Sequence, residues 1–544
     1  AKLLEIHGEN SFKAKSYASA AFTIEKLPMQ LTDMAAEKIA SLKGIGDSTA
    51  RKINELLQTG HLEALDNLIA QTPPGILEMM QIKGLGPKKI ASIWKEMGIE
   101  NLGELLYACE ENRLRLYKGF GEKTQESVKQ AIQFYLNNQG HFLFADIEPL
   151  ATRLTSRLQQ AFPNELVSPN GEALWQSDIV TRLELLTTIP TDALAAFLAS
   201  NGFSITEKNA DTLVAQTDEQ VTVYFQHCPA AQFHTTRFTA SCSQDFLAAF
   251  GRLADLNKPY ASEAAVFTAA GIHFIPVNRR RLPAIIEEAH HQAPGPVVET
   301  ADIKGIVHAH SKWSDGLHSL EQMAQACIDR GLEYLVISDH SRSAFYANGL
   351  SVERVLEQHQ EIDALNRQLA PFRIYKSIES DILNDGSLDY PDEILARFDL
   401  VIASVHSNLK MTEEKAMGRL LTAIGNPYTN ILGHLTGRLL LSRPGYPVNH
   451  QAIIDACVEN DVVIEINAHP RRLDIDWTWI PYAMENGCLL SIDPDAHETD
   501  GFNDIRFGVI SAQKGGLTAA ANLSSFTRAE LEKFIVRQHR KRNS

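Results

Sequence analysis

The chain has 544 residues, 44% apolar and 22% charged, a balance typical of a soluble protein with several domains. A formal net charge of −16 argues against a whole-molecule polyanion binder, and no apolar run is long enough to span a bilayer. No secretory signal opens the sequence, and the six cysteines are scattered without a C-x-x-C pair. We therefore expect reduced, mostly buried thiols and a cytoplasmic protein.

Residues 1–140 have helical periodicity and equal numbers of basic and acidic side chains, so the acid excess lies beyond them. Three G-x-G turns punctuate this segment, at Gly44 and Gly46, Gly84 and Gly86, and Gly119 and Gly121, with Lys88 and Lys89 after the second turn. Glycines permit a tight hairpin, and the helix that follows presents unpaired backbone N–H groups at its N-terminus. Such groups bind a DNA phosphate without reading base sequence.

A G-x-G turn can also do no more than end a helix in an α-helical bundle. Three spaced copies favour the helix-hairpin-helix motif of DNA-binding proteins over that alternative. The third copy is followed by Glu122, an acidic residue, and is the one that we expect to be structural only.

Residues 141–290 have a mixed α/β pattern, with strands predicted at 177–186 and 220–226. A Pro/Gly stretch at 293–296 marks the next boundary. Beyond it, β-rich runs alternate with amphipathic helices predicted at 320–330 and 352–369, the rhythm of a parallel sheet or barrel. The basic tail 537–542 is predicted to be a frayed, solvated end. We thus predict domains at 1–140, 141–290 and 300–544.

The third segment contains an ordered series of metal-ligand residue types in short motifs flanked by strand-like residues. The series is His308, His310, Asp315, Asp339, His340, Glu379, His406, His434, Asp495 and His497. Imidazole and carboxylate together suit zinc, manganese or iron. The number of candidate ligands exceeds the need of one ion, so the pattern predicts a multinuclear site of the kind that hydrolyses phosphate esters.

Residues i and i+2 of a strand point to the same face, so His308/His310 and Asp495/His497 are each expected to converge. Three other histidines lack such placement and are predicted to be surface or supporting residues: His359, His450 and His469. Asp339 is expected to orient His340 or to support the sheet edge rather than to bind metal.

The stretch Gly8-Glu9-Asn10-Ser11-Phe12-Lys13-Ala14-Lys15-Ser16-Tyr17, followed by the hairpins, resembles the opening of the bacterial family X DNA polymerases. In that family a nucleotidyltransferase palm follows the hairpins, and a PHP (polymerase and histidinol phosphatase) domain follows the palm. The resemblance covers essentially the whole chain. It implies a multidomain protein with an α-helical helix-hairpin-helix region, an α/β nucleotidyltransferase-like palm and a distorted (β/α)₇ PHP barrel.

The PHP resemblance rests on motifs such as Asp302–Gly316 and Ile492–His497. It implies three divalent metal ions at the carboxyl ends of the barrel strands, held by nine residues: His308, His310, Asp315, His340, Glu379, His406, His434, Asp495 and His497. Arg438 and Arg443 follow a ligand and are candidates for binding substrate phosphate, with ordinary salt bridges an equal alternative. Lys312 and Trp313 are candidates for nucleotide contact, although core packing is favoured for Trp313.

The palm departs from the family pattern, which is a Gly-Ser turn and three aspartates that hold two magnesium ions. In an ungapped alignment the turn serine becomes Glu172, the aspartate pair becomes Arg182 and Glu184, and the third aspartate becomes Thr222. One glutamate cannot hold two ions, and an arginine repels them. We therefore expect a palm without polymerase activity that serves as a scaffold or positions DNA.

The main hypothesis is a metal-dependent phosphoesterase acting on DNA ends or gaps, a 3′–5′ exonuclease or 3′-end processing enzyme in repair. One alternative is a phosphatase for small monoesters of the histidinol phosphate kind, which would have no use for hairpins. Another is a non-catalytic protein that binds DNA ends through structural metals, although such a site closes with four ligands. Residual polymerase activity is the remaining alternative.

Overall fold

The computed structural model describes residues 1–9, 11–110, 114, 117–137, 140–218, 221–441 and 444–542. It divides the chain into two compact units, Ala1–Gln139 and Gly140–Ser544. No helix in the described part of the chain has the length and apolar character needed to cross a membrane. All cysteines except the partly buried Cys242 are buried.

The regular elements in the described residues of the first unit are all helices. They are α1 (Lys2–His7), α2 (Ser11–Glu25), α3 (Ala36–Ile39), α4 (Asp47–Thr59), α5 (Glu63–Ala70), α6 (Pro74–Met79), α7 (Pro87–Lys95), α8 (Leu102–Glu110) and α9 (Glu122–Asn137). The predicted helical character of this segment is confirmed. Each G-x-G turn precedes one of the helices α4, α7 and α9.

The three turns share one backbone conformation. The first glycine is left-handed in every copy, with φ of 89° at Gly44, 89° at Gly84 and 93° at Gly119. Only glycine adopts this region without strain, which explains the residue type at these positions. The residue between the glycines is buried in each copy, and these residues are Ile45, Leu85 and Phe120. The sequence repeat is therefore also a structural repeat.

The second unit begins with a sheet and helices that correspond to the predicted palm. Its elements are β1 (Phe142–Leu143), α10 (Phe144–Ala161), β2 (Val167–Asn170), α11 (Gly171–Leu174), β3 (Ile179–Val180), β4 (Leu183–Thr187), α12 (Thr191–Ser200), β5 (Ser204–Lys208), β6 (Thr212–Gln216) and β7 (Thr222–His227). Five strands form a sheet of order β2-β4-β7-β6-β5, in which only β4 and β7 are parallel neighbours. The strand predicted at 177–186 is two strands, β3 and β4, and β7 matches the second prediction.

A helical subdomain follows the sheet. It consists of α13 (Phe233–Ala240), α14 (Gln244–Phe250), α15 (Glu263–Ala270) and α16 (Ala284–His291). Its core is aromatic, with Phe238, Phe250 and Phe267 packed at ring separations of 4.9 to 5.4 Å. Arg280 is fully buried beside this core and forms an ion pair with Glu263 at 2.8 Å.

The rest of the unit is a parallel barrel of strands with surrounding helices. Its elements are β8 (Gly305–Ala309), α17 (Leu320–Asp329), β9 (Tyr334–Ile337), α18 (Val352–Gln368), β10 (Arg373–Asp381), α19 (Asp392–Leu395), β11 (Leu400–Ser404), α20 (Glu413–Ile424), β12 (Ile431–Leu432), α21 (His450–Glu459), β13 (Val463–Asn467), α22 (Ile480–Glu485), β14 (Leu490–Asp493), α23 (Ile505–Gly515) and α24 (Arg528–Lys541).

Seven strands in the order β14-β13-β12-β11-β10-β9-β8 form this sheet, and its paired strands are parallel. A bridge between Ala309 and Ala496 nearly closes it at the carboxyl ends of the edge strands. There the backbone N–H of His310 donates to the carbonyl of Ala496 at 2.8 Å. The predicted βα rhythm and barrel architecture are confirmed.

The C-terminal tail differs from its prediction as a frayed end. The last helix, α24, extends to Lys541, and Phe534, Ile535 and Gln538 are buried in its contact with the barrel. Arg542 donates to the carbonyl of Phe398 at 3.0 Å. Phe534, Ile535 and Gln538 recur at helical spacing on the buried face of α24, while Arg537 and Arg540 are exposed on the other face.

The palm and the barrel share part of one hydrophobic core. Leu473 and Phe507, from the barrel segment, are buried in the cluster formed by α10, β4 and β7 of the palm. A buried ion pair lies at the same junction, where the Lys514 ammonium of α23 donates to Asp178 at 2.6 Å. The Lys514 side chain is 0% exposed, so the Asp178 carboxylate offsets the cost of removing the ammonium from water.

We predict that Asp178→Asn lowers the free energy of unfolding of the full chain by roughly 3–5 kcal/mol, because the Lys514 ammonium remains buried without a charged partner. The double variant Asp178→Asn, Lys514→Met recovers most of that loss, since neither charge remains. Urea denaturation measures both. The matched control is Asp192→Asn, which removes an exposed carboxylate paired with Lys208 and leaves the unfolding midpoint unchanged. A wild-type midpoint for Asp178→Asn would contradict the role of the buried pair.

Candidate metal centre

The first two histidines converge because of a bulge at the end of β8. His308 has a φ of 61°, and the register with β9 shifts between Ile306 and Ala309. Simple strand alternation, which the sequence argument assumed, therefore does not place His308 and His310. The bulge nevertheless brings their rings together, with centroids 5.3 Å apart. Bulges re-aim side chains in this way beside active sites.

One group of four possible ligands lies where the loops after β8, β9 and β14 meet. We name it the open cluster, and it consists of His310, Asp315, His340 and His497. Asp315 oxygens lie 3.5 Å from His497 Nε2, 3.6 Å from His340 Nε2 and 4.0 Å from His310 Nδ1. These separations are long for hydrogen bonds and suit groups that share an ion. The Asp315 and His497 side chains are 33% and 40% exposed, so the cluster faces solvent.

Two further groups overlap with the open cluster. They are His308 with His310 and Asp495, and His340 with Glu379 and His406. Within each group the nearest ligand atoms lie within 4.8 Å of one another. Because His310 and His340 each belong to two groups, the three groups form one continuous candidate metal centre. Eight of the nine predicted ligands belong to it directly.

The ninth predicted ligand, His434, joins the centre through Glu379. Its Nε2 lies 2.9 Å from Glu379 Oε1, and His406 Nε2 lies 3.1 Å from the same oxygen. Glu379 lies near the carboxyl end of β10, is fully buried, and contacts His340 Nδ1 at 2.9 Å through its other oxygen. All nine predicted residues therefore converge, and their role as metal ligands stays a prediction.

Several buried imidazole nitrogens fit a metal better than they fit the protein alone. His308 Nε2, His310 Nδ1 and His434 Nδ1 are buried without a hydrogen-bond partner among the described residues. Buried polar atoms are rarely left in this state unless something else binds them. Two of these nitrogens face carboxylate oxygens, at 3.4 Å for His308 and 4.0 Å for His310. A divalent cation between imidazole and carboxylate would satisfy both.

The charges of the centre shift its pKa values strongly. Burial alone would lower the pKa of His406, but Glu379 and Asp381 raise it to about 10. The pKa of His310 is lowered to about 3 by burial and by the neighbouring imidazoles of His497 and His340. Burial opposes ionisation of Asp315 as well, yet the surrounding histidines lower its pKa to about 2. The centre therefore keeps its carboxylates ionised, as cation binding requires.

Two carboxylates that the sequence motifs did not single out orient His308 and His406. Glu465 Oε2 lies 2.5 Å from His308 Nδ1, and Asp381 Oδ1 lies 2.5 Å from His406 Nδ1. Each contact fixes the ring and turns Nε2 toward the centre, a common arrangement around metal sites. The signal for Asp381 was present, since it lies two residues after Glu379 on the same strand face.

Asp339 has a different role from the one expected. Its carboxylate accepts hydrogen bonds from the backbone N–H and hydroxyl of Ser311, at 2.8 and 2.7 Å, and from those of Ser314, at 3.1 and 2.6 Å. It therefore holds the loop that carries Asp315, rather than His340 or the sheet edge. Full burial explains why so many donors surround it.

The predicted phosphate-binding arginines differ in outcome. Arg438 donates to the carbonyls of Arg472 and Leu473 and pairs with Asp476 at 2.7 Å. Arg438 thus forms the salt bridge that was the alternative to phosphate binding. Its guanidinium is occupied by protein groups, which disfavours binding of a substrate phosphate. Arg443 lies outside the described residues.

Other candidates near the centre are packing residues. Trp313 packs against the barrel core, as favoured from the sequence, and its indole N–H donates to Glu361 at 2.9 Å. Lys312 is exposed. The three remaining histidines are not part of the centre. His359 is buried with its ring edge-on to Phe398, so it is not the surface residue that was one of its two predicted placements. His450 stacks on Trp479, and His469 accepts a hydrogen bond from the backbone N–H of Arg471.

The palm positions that would hold magnesium contain a single carboxylate. Arg182 Nε lies 3.0 Å from Glu184, and its guanidinium lies 3.8 Å from the Tyr224 ring centroid. Glu172 accepts from the Thr181 hydroxyl at 2.6 Å. The carboxylates at this site are therefore engaged by neighbouring protein groups.

The hairpins present open helix N-termini. Gly46 and Gly86 are the N-caps of α4 and α7, and a side chain at either position would meet nothing within 4 Å. Lys88 is exposed on the first turn of α7. Lys89 instead donates to the carbonyl of Gly84 at 3.3 Å and so reinforces the turn.

Comparison with known proteins agrees with this organisation. The models described as "Helix-hairpin-helix domain" and "SAM-like Helix-hairpin-helix tandem" match residues 1–62 and 76–133. The chain is 32% identical over 556 residues to the DNA polymerase/3′-5′ exonuclease PolX of Bacillus subtilis, covering 98% of this chain and 97% of that protein. It is 28% identical over 169 residues to a probable phosphatase of Acetivibrio thermocellus, covering 30% of this chain and 64% of that protein.

A seven-stranded parallel barrel with imidazoles and carboxylates at the carboxyl ends of its strands defines a hydrolase of the PHP class. The match to the Bacillus relative extends beyond the barrel over nearly the full length of both proteins. The chain belongs to the bacterial PolX family, the family X DNA polymerases that carry a PHP domain.

We predict that Mn²⁺ or Zn²⁺ raises the thermal unfolding midpoint of the wild-type chain and that EDTA reverses the shift. A ligand at 100 times its Kd stabilises the folded state by about 2.7 kcal/mol. His340→Ala removes a ligand from two groups and suppresses most of the shift. His450→Ala, at a histidine outside the centre, keeps it. An equal metal response in His340→Ala and the wild type would show that the cations bind elsewhere.

Proposed function

We propose that this chain is a metal-dependent phosphoesterase that removes nucleotides from the 3′ ends of DNA, as a 3′–5′ exonuclease or end-processing enzyme in repair. The observation that carries the proposal is the convergence of nine ligand-type residues in one barrel, on a chain whose first unit has three helix-hairpin-helix turns. DNA ends and gaps are the proposed substrates. Reduced thiols and a DNA substrate support the cytoplasm as its compartment.

The proposed ligands are the nine residues of the metal centre, with room for three divalent ions of zinc, manganese or iron. Such ions would activate water at neutral pH and neutralise the charge of the phosphate. The two sides of the centre differ in solvent exposure: Glu379 and His308 are fully buried, whereas Asp315 and His497 are partly exposed. We infer that the scissile phosphate enters from the open cluster.

Substrate size distinguishes this proposal from the phosphatase alternative. Probable phosphatases are among the relatives, but each aligns with only part of this chain. A small-molecule phosphatase has no use for three exposed hairpin turns. The structural-metal alternative is disfavoured because a structural zinc site closes with four ligands.

The palm is proposed to be a scaffold without polymerase activity. Glu184 is the only carboxylate at the three positions that hold magnesium in this family, and Arg182 neutralises it. The junction formed by Asp178, Lys514 and the shared core supports a structural role.

We predict that purified protein with Mn²⁺ shortens a 3′-recessed duplex from its 3′ end, which a 5′-labelled strand reports as a ladder. His310→Ala lowers the rate by roughly 100-fold or more, because it removes a ligand from two metal groups. His469→Ala, close to the centre but not a proposed ligand, is the matched control. Full nuclease activity in His310→Ala would contradict the assignment. Faster hydrolysis of free phosphate monoesters than of DNA would favour the phosphatase alternative.

We predict no nucleotide incorporation in a primer-extension assay with Mg²⁺ or Mn²⁺, because one carboxylate paired with an arginine cannot hold two cations. Nuclease digestion of the primer complicates the readout, so the His310→Ala protein is used. Template-dependent extension by that variant would overturn the scaffold role of the palm.

We predict that Lys88→Ala weakens duplex binding about equally for all sequences and lowers the slope of log Kd against log salt by about 1, since one phosphate contact is lost. Fluorescence anisotropy over a salt series measures this slope. Lys208→Ala, at a palm lysine paired with Asp192, serves as the control. An unchanged slope in Lys88→Ala would contradict a DNA contact at the second hairpin.

A further inference from the structure

An aromatic side chain projects into solvent beside the open cluster. Phe345 lies on the loop 341–350, which begins immediately after the proposed ligand His340. Its exposed fraction of 86% is the largest among the large apolar side chains of the described residues. Single exposed apolar residues are common on proteins, so exposure alone carries no conclusion. The hydrogen bonds that hold this loop to the candidate metal centre distinguish Phe345 from such residues.

Backbone hydrogen bonds join both ends of this loop to residues of the candidate metal centre. The backbone N–H of Leu350 donates to the carbonyl of His340 at 2.9 Å, and that of Ser341 donates to the carbonyl of Glu379 at 3.1 Å. The closure is so tight that a side chain on Gly349 would lie 1.9 Å from the Ser341 carbonyl oxygen. Phe345 therefore extends from a loop anchored to two proposed ligands.

The tip of the same loop is also bound to the loop that carries Asp315. Asn348, in the left-handed region with φ of 55°, donates from its side-chain amide to the carbonyl of Ser314 at 3.1 Å. Arg354 reinforces the contact by donating to the carbonyl of Asn348 at 2.8 Å. The loop that carries Phe345 is thus held to the segments of both His340 and Asp315.

A second exposed apolar side chain lies on the Asp315 loop. Leu317 is 54% exposed, two residues after Asp315, and its backbone N–H donates to the carbonyl of His497 at 2.8 Å. Two of the three loops that supply the open cluster therefore carry an exposed apolar side chain and are held to proposed ligands through their backbones. Exposed apolar side chains on the loops that supply a charged, water-accessible centre suit a substrate with a flat apolar part and an adjacent phosphate.

We propose that Phe345, assisted by Leu317, binds the nucleobase of the 3′-terminal nucleotide while its phosphodiester occupies the open cluster. The inference rests on the proposed nuclease function and adds a base-binding subsite to it. Stacking on an aromatic ring tolerates any sequence, because every base has a π-face. The subsite would hold an unpaired end base and so favour frayed or single-stranded 3′ termini over fully paired ones.

The test compares Phe345→Ala with the wild type on two oligonucleotides that differ only at the 3′ end. One has a normal terminal nucleotide, and the other has a tetrahydrofuran abasic residue with the same phosphodiester. We expect kcat/KM for the normal end to fall by roughly 5- to 150-fold in Phe345→Ala, the range of one lost base stack. Removal of the abasic residue should be unchanged, and Phe345→Trp should retain activity on both ends.

The matched control is Phe274→Ala, at an exposed phenylalanine of the helical subdomain, which should leave both rates unchanged. Thermal unfolding of Phe345→Ala should match that of the wild type, because the ring is exposed. An equal loss on normal and abasic ends, or no loss on either, would overturn the subsite while the nuclease function stands. A wild-type protein that degrades neither oligonucleotide would overturn the proposed function and the subsite with it.

Discussion

The structure of the barrel site depends on one buried carboxylate, Glu379. Its two oxygens lie between 2.9 and 3.7 Å from ring nitrogens of five histidines: His308, His310, His340, His406 and His434. An ionised carboxylate in a fully buried position has a high desolvation cost unless cations or donors surround it. The histidines meet that requirement in the protein alone, and a set of divalent ions would meet it more completely. The pKa of Glu379 is accordingly held well below its usual value, with burial opposed by these imidazoles.

Barrel closure brings these groups together from distant parts of the chain. Glu379 lies near the carboxyl end of β10, His308 lies near the carboxyl end of the edge strand β8, and Asp495 follows the other edge strand, β14. The edges meet at the Ala309–Ala496 bridge, next to those two residues. Both residues have positive φ, 61° at His308 and 53° at Asp495, which is uncommon for side chains larger than glycine. Local backbone strain at the seam is a common feature of functional sites and here accompanies the convergence of the ligands.

The sequence predicted this architecture because its signals are local and repeated. The βα alternation, the G-x-G repeat and the motifs after each strand depend on neighbouring residues and on the resemblance to family X polymerases. The nine residues proposed as ligands meet in space, although alternation along a regular strand was the wrong reason for His308. Features that depend on distant partners were not predictable. Arg438 pairs with Asp476, which disfavours phosphate binding by its guanidinium. Asp339 anchors the Asp315 loop through Ser311 and Ser314. The amphipathic character of α24 was hidden by the basic residues of the tail.

The palm lacks the aspartates of the family at the aligned positions, but it keeps buried contacts with the barrel. Arg182 and Thr222 stand where the family has aspartates, yet Asp178 remains the partner of a buried lysine in the barrel. A segment that only filled space would not need such a pair. This contrast supports a division of labour in which the hairpins bind DNA, the palm holds the barrel, and the barrel carries the chemistry.

The most direct measurement is the number of divalent ions bound per chain, determined together with single-turnover hydrolysis of a 3′-recessed duplex, for the wild type and Glu379→Gln. We expect more than one bound ion and 3′-end hydrolysis in the wild type, with both lost together in the variant because the neutral amide no longer balances the charge of the cations. A Glu379→Gln protein that retains wild-type hydrolysis while its metal content falls to zero would contradict the account.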